Sequence, residues 1–427
     1  MLACGKITFF TLGCRVNHYE TSVLEDTARA RGLTVAAWGE PADIALINSC
    51  ALTALACAKT RQNVRIFMRA NPEARVAVCG CYADTDAQSL ANIDGVGWII
   101  GKDAKTSAVD IILENPPTSP ARFYGGAARA GFERVAETGV LSDRMNLKIQ
   151  DGCDNFCSYC IIPRARGLPS SRDFAGIVAD AENLAARGVR EIILTGINIS
   201  KFSTPNGGLV ELIDRLDGIE ALKRLRLGSL EAPNFPLEAV LERAGDSSHK
   251  LMPHLHISAQ SLSDKVLEAM RRRYCARDFL SIVEKIKSAV PDMSVGTDII
   301  CGHPEEGEAE FDETRRRMVS CGLSYAHVFT FSPRPKTLAA SMKNVAPAAV
   351  RKERSDALRI EARAMYAKFA ASQFGKVRPV MFENQRRDGT YLGYTDNYIQ
   401  LRLHVAESGL KNCVRNVELS QANVVLE

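Results

Sequence analysis

Short apolar runs alternate with amphipathic helical segments through the first quarter of the chain. The helical segments include Asn17–Arg31 and Ala51–Arg69, where apolar residues recur with a period near 3.6. The strands predicted between these helices are Lys6–Leu12, Asp43–Asn48, Ala74–Val78 and Val96–Ile100. This strand-and-helix order predicts an N-terminal doubly wound parallel sheet of the α/β class.

A second series of strands and helices fills residues 146–335. Helices occupy the gaps between strands, as at Asp173–Arg187, which ends at Gly188. The predicted strands are Asn146–Ile149, Glu191–Thr195, Arg224–Leu227, His254–Ser258, Ser294–Ile300 and Tyr325–Phe331. About six such βα units predict a partial barrel that is open on one side.

The pattern changes again on both sides of this barrel. Residues 115–145 are rich in Pro, Gly and small residues, which predicts a linker with a short hairpin at Phe132–Leu141. A long charged helix is predicted at 347–372, and short alternating strands from 375 onward predict a small all-β, OB-like module. The predicted domains are therefore 1–114, the linker 115–145, the barrel with its helix 146–372, and the β module 373–427.

Composition narrows the class of protein. The chain has 427 residues, a formal net charge of +4 and thirteen cysteines. The weakly basic charge permits an RNA partner without requiring one. The N-terminal segment lacks a basic region followed by a long apolar stretch, and no segment reaches the roughly 18 apolar residues of a membrane span. We therefore predict a cytoplasmic protein with no membrane partner, in which cysteines serve metal or redox chemistry.

Six of the cysteines form two sets of three. One set is compact, with Cys153, Cys157 and Cys160 spaced C-x3-C-x2-C in a loop that follows the first barrel strand. The other set comprises Cys14, Cys50 and Cys81, each just after one of the first three strands of the N-terminal sheet. Parallel strands end at one edge, so this second set should meet there. Three thiolates on a cubane cluster leave one iron open to a substrate or cofactor.

Two alternatives concern these cysteines. A zinc site or core packing could explain the compact set, but zinc favours four ligands and no fourth one is nearby in sequence. Cys79 lies two residues before Cys81, and both would point to the same side of a strand. Geometry alone therefore leaves the choice between Cys79 and Cys81 open. The remaining cysteines are expected to be core or surface thiols.

The sequence around Cys153, Cys157 and Cys160 resembles that of the radical S-adenosylmethionine (SAM) superfamily. The segments TLGCRVNHYET, NSCALT, CGCYAD, KIQDGCDNFCSYCIIPRARG and FSPRP are similar to those of its methylthiotransferases. By this resemblance, Cys153, Cys157 and Cys160 hold a [4Fe–4S] cluster that binds SAM, and Tyr159 lies beside the adenine of SAM. The resemblance also assigns a second [4Fe–4S] cluster to Cys14, Cys50 and Cys81, and it likens the β module to a TRAM RNA-binding domain.

The resemblance implies a substrate and partners. Within the family, these motifs are most similar to those of the enzymes that add a methylthio group to C2 of N6-threonylcarbamoyladenosine, 3′ of the tRNA anticodon. The partners implied are a tRNA anticodon stem-loop and a small electron donor such as flavodoxin or ferredoxin. Alternatives with the same chemistry are an isopentenyladenosine tRNA or a ribosomal-protein aspartate. An alternative of a different class is a non-catalytic RNA-binding or Fe–S electron-transfer protein.

Further polar residues have two interpretations each. Gly196, Glu231 and Gln260 lie at predicted strand ends, where they could contact SAM or serve as a turn glycine and buried polar groups. The runs Arg271–Arg273 and Arg315–Arg317, like Arg164 and Arg166, could contact RNA phosphates or lie on solvated helix faces. Three tyrosines of the β module could stack on bases or pack in a core. They are Tyr391, Tyr394 and Tyr398.

Overall fold

The computed structural model describes residues 5–125, 131–134, 144–386, 388–404 and 409–426. These residues form two compact units. The first comprises Met1–Val140, Asp151–Arg172 and Ser332–Ala340, and the second comprises Leu141–Gln150, Asp173–Phe331 and Ser341–Glu427. The hairpin predicted at Phe132–Leu141 falls largely outside the described residues. The four ranges into which the sequence divides the chain stay a prediction.

The strands are numbered in chain order. Those up to residue 171 are β1 Lys6–Thr11, β2 Thr34–Ala36, β3 Ile44–Ser49, β4 Arg75–Gly80, β5 Val96–Ile100, β6 Arg122–Tyr124, β7 Arg144–Lys148, β8 Gln150–Asp151 and β9 Ser170–Ser171. Those that follow are β10 Glu191–Thr195, β11 Ser203–Thr204, β12 Gly207–Gly208, β13 Arg224–Leu227, β14 Ser229–Leu230, β15 His254–Ile257, β16 Ser294–Cys301 and β17 Tyr325–Thr330. The last are β18 Val377–Gln385, β19 Thr390–Thr395, β20 Gln400–His404 and β21 Val414–Glu418.

The helices are numbered in the same way. Those up to residue 166 are α1 Arg15–Ala30, α2 Ala54–Ala70, α3 Cys81–Thr85, α4 Ala87–Ala91, α5 Ala108–Glu114 and α6 Ile162–Arg166. Those that follow are α7 Phe174–Ala186, α8 Leu209–Asp217, α9 Leu237–Gly245, α10 Asp264–Ala269, α11 Ala276–Ala289, α12 Glu308–Ser320 and α13 Ala348–Ala371. Among them, no described helix combines the length and apolar character that crossing a bilayer requires.

The first unit is built on one parallel sheet in the order β2-β1-β3-β4-β5-β6. Two of its inner strands, β3 and β5, are buried along their whole length, as expected when helices cover both faces. Alternate residues feed two separate cores. Ile47 and Val78 belong to one core, whereas Leu46 and Trp98 belong to the other. The predicted doubly wound sheet is thereby confirmed, and β6 extends it with a strand from the range predicted as a linker.

The second unit contains the barrel strands in two parallel sheets, β13-β10-β7 and β14-β15-β16-β17. The sequence predicts β13 at Arg224–Leu227 but not the short strand β14 that follows it. The structure separates them at Gly228, where a Cβ would lie 2.9 Å from the carbonyl oxygen of Leu194. The predicted open βα architecture is confirmed.

The β module belongs to the second unit and forms the antiparallel sheet β20-β19-β18-β21. Its own core includes Phe382, Tyr391 and Leu401. The turn after β19 lies against barrel strands, because Arg226 donates to the carbonyl oxygens of Thr395 and Asp396 at 2.8 Å. The module is thus joined to the barrel by buried hydrogen bonds within one compact unit.

Candidate functional site

The three dispersed cysteines lie at the carboxyl edge of the first unit's sheet. Cys14 caps α1 after β1, Cys50 follows β3, and Cys81 begins α3 directly after β4. Because β1, β3 and β4 are neighbours in the sheet, their ends bring these side chains to one place. The structure therefore places the set where the strand pattern predicts.

Two glycines shape this edge. Gly80 has a φ of +90°, and a Cβ there would lie 2.4 Å from the carbonyl oxygen of Ser49. Gly13 has a φ of +125°, and a Cβ there would lie 2.8 Å from Asn17 Oδ1. Both positions need a left-handed backbone and leave no room for a side chain. The turn at Gly80 also separates the two candidate cysteines, because Cys79 packs with Leu46 in one core and Cys81 joins the other.

The thiols of the dispersed set are close enough to affect one another's ionisation. Burial raises the pKa of Cys50 to about 12, and the neighbouring Cys81 and Cys14 contribute to the rise. Burial also raises the pKa of Cys81, although Arg166 and Lys105 oppose it. Burial therefore favours neutral thiols at Cys50 and Cys81 in the absence of a metal, and binding a metal as thiolates releases protons.

A polar network supports Cys14. Its thiol donates to Asn17 Oδ1 at 3.2 Å. The amide nitrogen of Asn17 donates in turn to Asn48 Oδ1 and to the carbonyl oxygen of Ser49. Asn48 is itself held by the carbonyl oxygen of Asn17 and by Thr21 Oγ1. Asn17 and Asn48 are fully buried, so this network fixes the edge around the cysteines.

A buried charge network lies beside Cys81. Arg166, at the end of α6, donates through Nε to Cys81 Sγ at 3.2 Å and through Nη1 to Glu20 at 2.8 Å. Asp151 lies 3.3 Å from the same guanidinium, and Lys105 donates to Glu20 at 2.7 Å. Burial lowers the pKa of Arg166, but Cys81, Glu20 and Asp151 outweigh it and raise that pKa well above its usual value. Two cations and two carboxylates therefore form a balanced group next to a thiol.

The compact cysteine set lies in the same unit. The N–H of Cys153 donates to the carbonyl oxygen of Gly167 at 3.0 Å, and the N–H of Cys160 donates to that of Cys157 at 3.0 Å. Ala339 donates to the carbonyl oxygen of Ser158 at 2.7 Å, which ties the loop to the segment after β17. Tyr159 is half-buried in this loop. The helix α6 that follows packs against α3, since Ala165 and Cys81 share one core.

Both cysteine sets fit iron–sulfur ligation as donor sets. Three thiols from adjacent strand ends, flanked by a guanidinium that donates to sulfur, suit a thiolate-bound cluster. The compact set offers three thiols from one short loop that backbone hydrogen bonds attach to its surroundings at Cys153 and Ser158. Both sets belong to the first unit.

The predicted SAM-contact residues of the second unit have internal partners. Glu231 accepts from Asn198 Nδ2 at 2.7 Å and lies 3.3 Å from Arg272. Gln260 has a φ of +70° and exchanges backbone hydrogen bonds with Asp298 and Ile300. The sequence left SAM contact and internal burial open for these residues, and their SAM role stays a prediction.

One feature beside them favours a ligand. Within the described residues, Asn198 Oδ1 is buried without a hydrogen-bond partner. Asn198 follows β10 closely, as does Gly196, where a Cβ would lie 2.9 Å from the carbonyl oxygen of Gln150. An orphaned buried acceptor at the carboxyl end of a barrel strand fits a bound polar cofactor.

A histidine cluster also lies on adjacent barrel strands and was not singled out in the sequence. Asp298 on β16 lies 3.0 Å from His256 Nε2 and 3.4 Å from His327 Nδ1. His256 also lies 3.1 Å from the hydroxyl oxygen of Tyr325. Burial raises the pKa of Asp298, but the two histidines hold it well below its usual range. Three residues far apart in sequence meet here because their strands are neighbours.

The candidate RNA-contact residues have differing environments. Arg164 is exposed, whereas Arg166 is buried in the charge network. Arg272 pairs with Glu231 and Tyr274, and Arg315 pairs with Glu361. The tyrosines are occupied as well: Tyr391 is buried in the module core, and Arg144 stacks on Tyr394 and Tyr398 at 4.4 and 5.7 Å. Packing therefore accounts for these tyrosines.

Two family models match separate segments of the chain. The Radical SAM superfamily matches residues 147–318, and an uncharacterized protein family, UPF0004, matches residues 6–101. The chain is 34% identical over 408 residues to threonylcarbamoyladenosine tRNA methylthiotransferase MtaB of Bacillus subtilis, covering 93% of this chain and 90% of that one. It is 33% identical to the protein of that name from Aquifex aeolicus, covering 93% and 96%.

The chain is also similar to a relative that carries a different enzyme name, and its fold resembles that of a solved structure. The chain is 30% identical to a tRNA-2-methylthio-N(6)-dimethylallyladenosine synthase of Novosphingobium aromaticivorans, covering 90% of this chain and 88% of that one. The radical SAM methyltransferase TsrM from Kitasatospora setae shares the fold, with a TM-score of 0.53, 16% identity and coverage of 79% and 77%. The chain thus belongs to the radical SAM methylthiotransferases and is MtaB-like within that family, a transferase whose family implies SAM and a [4Fe–4S] cluster.

Proposed function

We propose that the protein adds a methylthio group to C2 of N6-threonylcarbamoyladenosine in tRNA. The observation that carries the proposal is the meeting of Cys14, Cys50 and Cys81 in the unit that also holds the 153–160 loop. The substrate rests on the relatives of 32 to 34% identity that are named for threonylcarbamoyladenosine.

In this proposal each cysteine set holds one cluster. Cys153, Cys157 and Cys160 hold the cluster that binds SAM, and Cys14, Cys50 and Cys81 hold a second one. When bound, these groups supply a carbon-centred radical and a transferable sulfur, chemistry that side-chain acids and bases do not provide at an aromatic C–H. The SAM molecule is expected to lie against Tyr159, Gly196, Glu231 and Gln260, with Asn198 Oδ1 as a further acceptor.

The protein's own residues supply position and a dry environment. Asn17 orients the Cys14 thiol, and Arg166 orients that of Cys81. Cys50 and Cys81 are almost fully buried, so water has little access to sulfur there. The partners proposed are a tRNA anticodon stem-loop, whose bases unstack readily, and a small electron donor such as flavodoxin or ferredoxin. The cytoplasmic location stays a prediction.

The substrate is tested in a bacterial strain that lacks its own tRNA methylthiotransferases. The chain is expressed there, and tRNA nucleosides are separated and identified by mass spectrometry. The proposal expects 2-methylthio-N6-threonylcarbamoyladenosine to appear, and a variant with Cys153, Cys157 and Cys160 changed to Ser should produce none.

A second substrate has a specific observation behind it. Relatives named for dimethylallyladenosine match at 30 to 33% identity, close to the values of the first group. If the same experiment yields the methylthio group on dimethylallyladenosine and none on threonylcarbamoyladenosine, the substrate assignment is wrong and this second one replaces it.

A further inference from the structure

Arg166 stands out among the basic residues near the cysteines. Its side chain is 4% exposed, although it ends a helix of only five residues that follows the compact cysteine loop. A guanidinium buried this deeply is costly unless its N–H groups are satisfied. Arg166 satisfies them with Glu20, Asp151, Asn17 and the sulfur of Cys81.

The contact with sulfur is directional. Nε of Arg166 lies 3.2 Å from Cys81 Sγ, while Nη1 and Nη2 both contact Glu20. The two carboxylates and Asn17 therefore fix the plane of the guanidinium, and this plane points one N–H at the thiol. A donor oriented in this way becomes a stronger, charge-assisted partner once the sulfur is a thiolate.

The backbone next to Arg166 supports the other cysteine set. Gly167, the next residue, accepts the N–H of Cys153 through its carbonyl oxygen at 3.0 Å. The short segment 166–167 thus contacts one member of each set, Cys81 by a side chain and Cys153 by the backbone. In sequence, Arg166 and Cys81 are 85 residues apart.

We infer that Arg166 is a positioning residue for the second cluster, orienting Cys81 and tuning that cluster through an N–H to sulfur bond. The inference rests on the proposed function, because it requires a cluster on Cys14, Cys50 and Cys81. Hydrogen bonds to ligating sulfurs raise the reduction potential of iron–sulfur clusters, and loss of such outer partners weakens metal binding about 10- to 100-fold. Removing the Arg166 bond should therefore lower the potential and loosen the iron.

Lys105 provides a matched control. It is as deeply buried as Arg166, at 2% exposed, and it donates to the same Glu20 at 2.7 Å. Among the described contacts, however, it makes no hydrogen bond to a sulfur. Lys105→Gln therefore disturbs the same charge network without removing a donor to Cys81.

The test uses the full chain with Cys153, Cys157 and Cys160 changed to Ser, so that only the second cluster can form. Arg166→Lys, which keeps the charge, and Lys105→Gln are made in this parent and reconstituted anaerobically. The reduction potential is measured by redox titration followed by electron paramagnetic resonance, and iron loss is timed against a chelator. We expect Arg166→Lys to lower the potential and to speed iron loss about 10-fold or more. Lys105→Gln should change the loss rate less than about 3-fold.

The outcomes separate the inference from the proposed function. If the parent binds iron and Arg166→Lys leaves both potential and iron loss unchanged, the inference is wrong and the second cluster stands. If the parent binds no iron, the proposed second cluster and the inference about Arg166 are both wrong. Should Arg166→Lys not fold, the double variant Arg166→Gln with Asp151→Asn keeps the charge balance and the Glu20–Lys105 pair, and the same two measurements decide.

Discussion

At the scale of single residues, the sheet edge that carries Cys14, Cys50 and Cys81 depends on the backbone conformation as much as on the cysteines themselves. Sequence spacing predicts which cysteines meet but gives no basis for choosing Cys81 over Cys79, because both would point to the same side of one predicted strand. The structure ends the strand at Gly80, and this turn sends the two side chains into different cores. A φ of +90° cannot be derived from a lone Gly-Cys pair.

Gly80→Ala should therefore be strongly destabilising. The new Cβ would meet the carbonyl oxygen of Ser49 at 2.4 Å, on a backbone that L side chains rarely adopt. We expect the free energy of unfolding to fall by about 2–4 kcal/mol, measured by urea denaturation of the first unit's transition. Gly39 is the control, since it has a φ of +98° with nothing within 4 Å, and Gly39→Ala should cost about 1 kcal/mol. Equal costs at the two positions would contradict the steric account.

A buried histidine predicts acid sensitivity. His303 is fully buried, and burial lowers its pKa to about 4. Unfolding would let it take up a proton below its ordinary pKa near 6.5, so its contribution is neutral above about pH 6.5 and destabilises progressively as the pH falls to about 4. Thermal melting of wild type and His303→Asn between pH 7 and pH 4 should show a shallower acid loss in the variant. Parallel pH profiles would contradict this assignment.

At the scale of elements, the long strands and helices could be predicted because burial on both sides leaves continuous apolar runs. β5 and β10 match their predicted bounds, Val96–Ile100 and Glu191–Thr195. Strands with weak patterns were missed. β21 reads VRNVE and is mostly exposed, and among the described residues after it Val424 makes only an isolated bridge to Leu401. Tertiary pairing decides such segments, so their local sequence carries little signal.

The junction of β10 and β13 carries a concentrated buried charge. Glu191 is fully buried, lies 3.0 Å from Arg226, and is also close to Arg144 and Arg224 at 3.7 and 3.8 Å. Burial raises the pKa of Glu191, but the three arginines outweigh it and lower that pKa. The carboxylate thus holds together several cations that would otherwise be buried without a counterion.

Glu191→Gln should destabilise the second unit by about 3–5 kcal/mol, because removing one partner of a buried ion pair leaves uncompensated charge. Differential scanning calorimetry at neutral pH measures the effect. Glu182→Gln serves as the control, since the Glu182–Arg215 pair is about half exposed and surface pairs contribute about 0–1 kcal/mol. A Glu191 variant that melts like the Glu182 variant would show that the arginines find other partners.

At the scale of the whole molecule, the sequence predicts the parallel sheet, the βα barrel and the β module. It does not predict the contacts that join residues far apart in the chain. Arg166 and Glu20 are 146 residues apart, and Arg226 meets Asp396 across 170 residues. Such contacts depend on how elements pack, and no local pattern encodes them. For that reason the sequence does not predict the hydrogen bonds of Arg166 or the contacts between the β module and the barrel strands.

Removal of the β module should therefore damage the barrel. A chain ending after Ser372 would lose the backbone acceptors of Arg224 and Arg226 and the aromatic partners of Arg144. We expect the second unit to become sensitive to limited proteolysis and to melt at a lower temperature than in the full chain. If the shortened chain resists protease as well as the full chain does, the module is an independent attachment.

Iron content tests the central claim most directly. Wild type and two triple variants, one with Cys14, Cys50 and Cys81 changed to Ser and the other with Cys153, Cys157 and Cys160 changed, are reconstituted anaerobically and analysed by Mössbauer spectroscopy and iron assay. Two cubane sites, each held by three thiolates, predict about eight irons per chain in wild type and about four in each variant. About four irons in wild type, with none lost on changing the dispersed cysteines, would contradict the account.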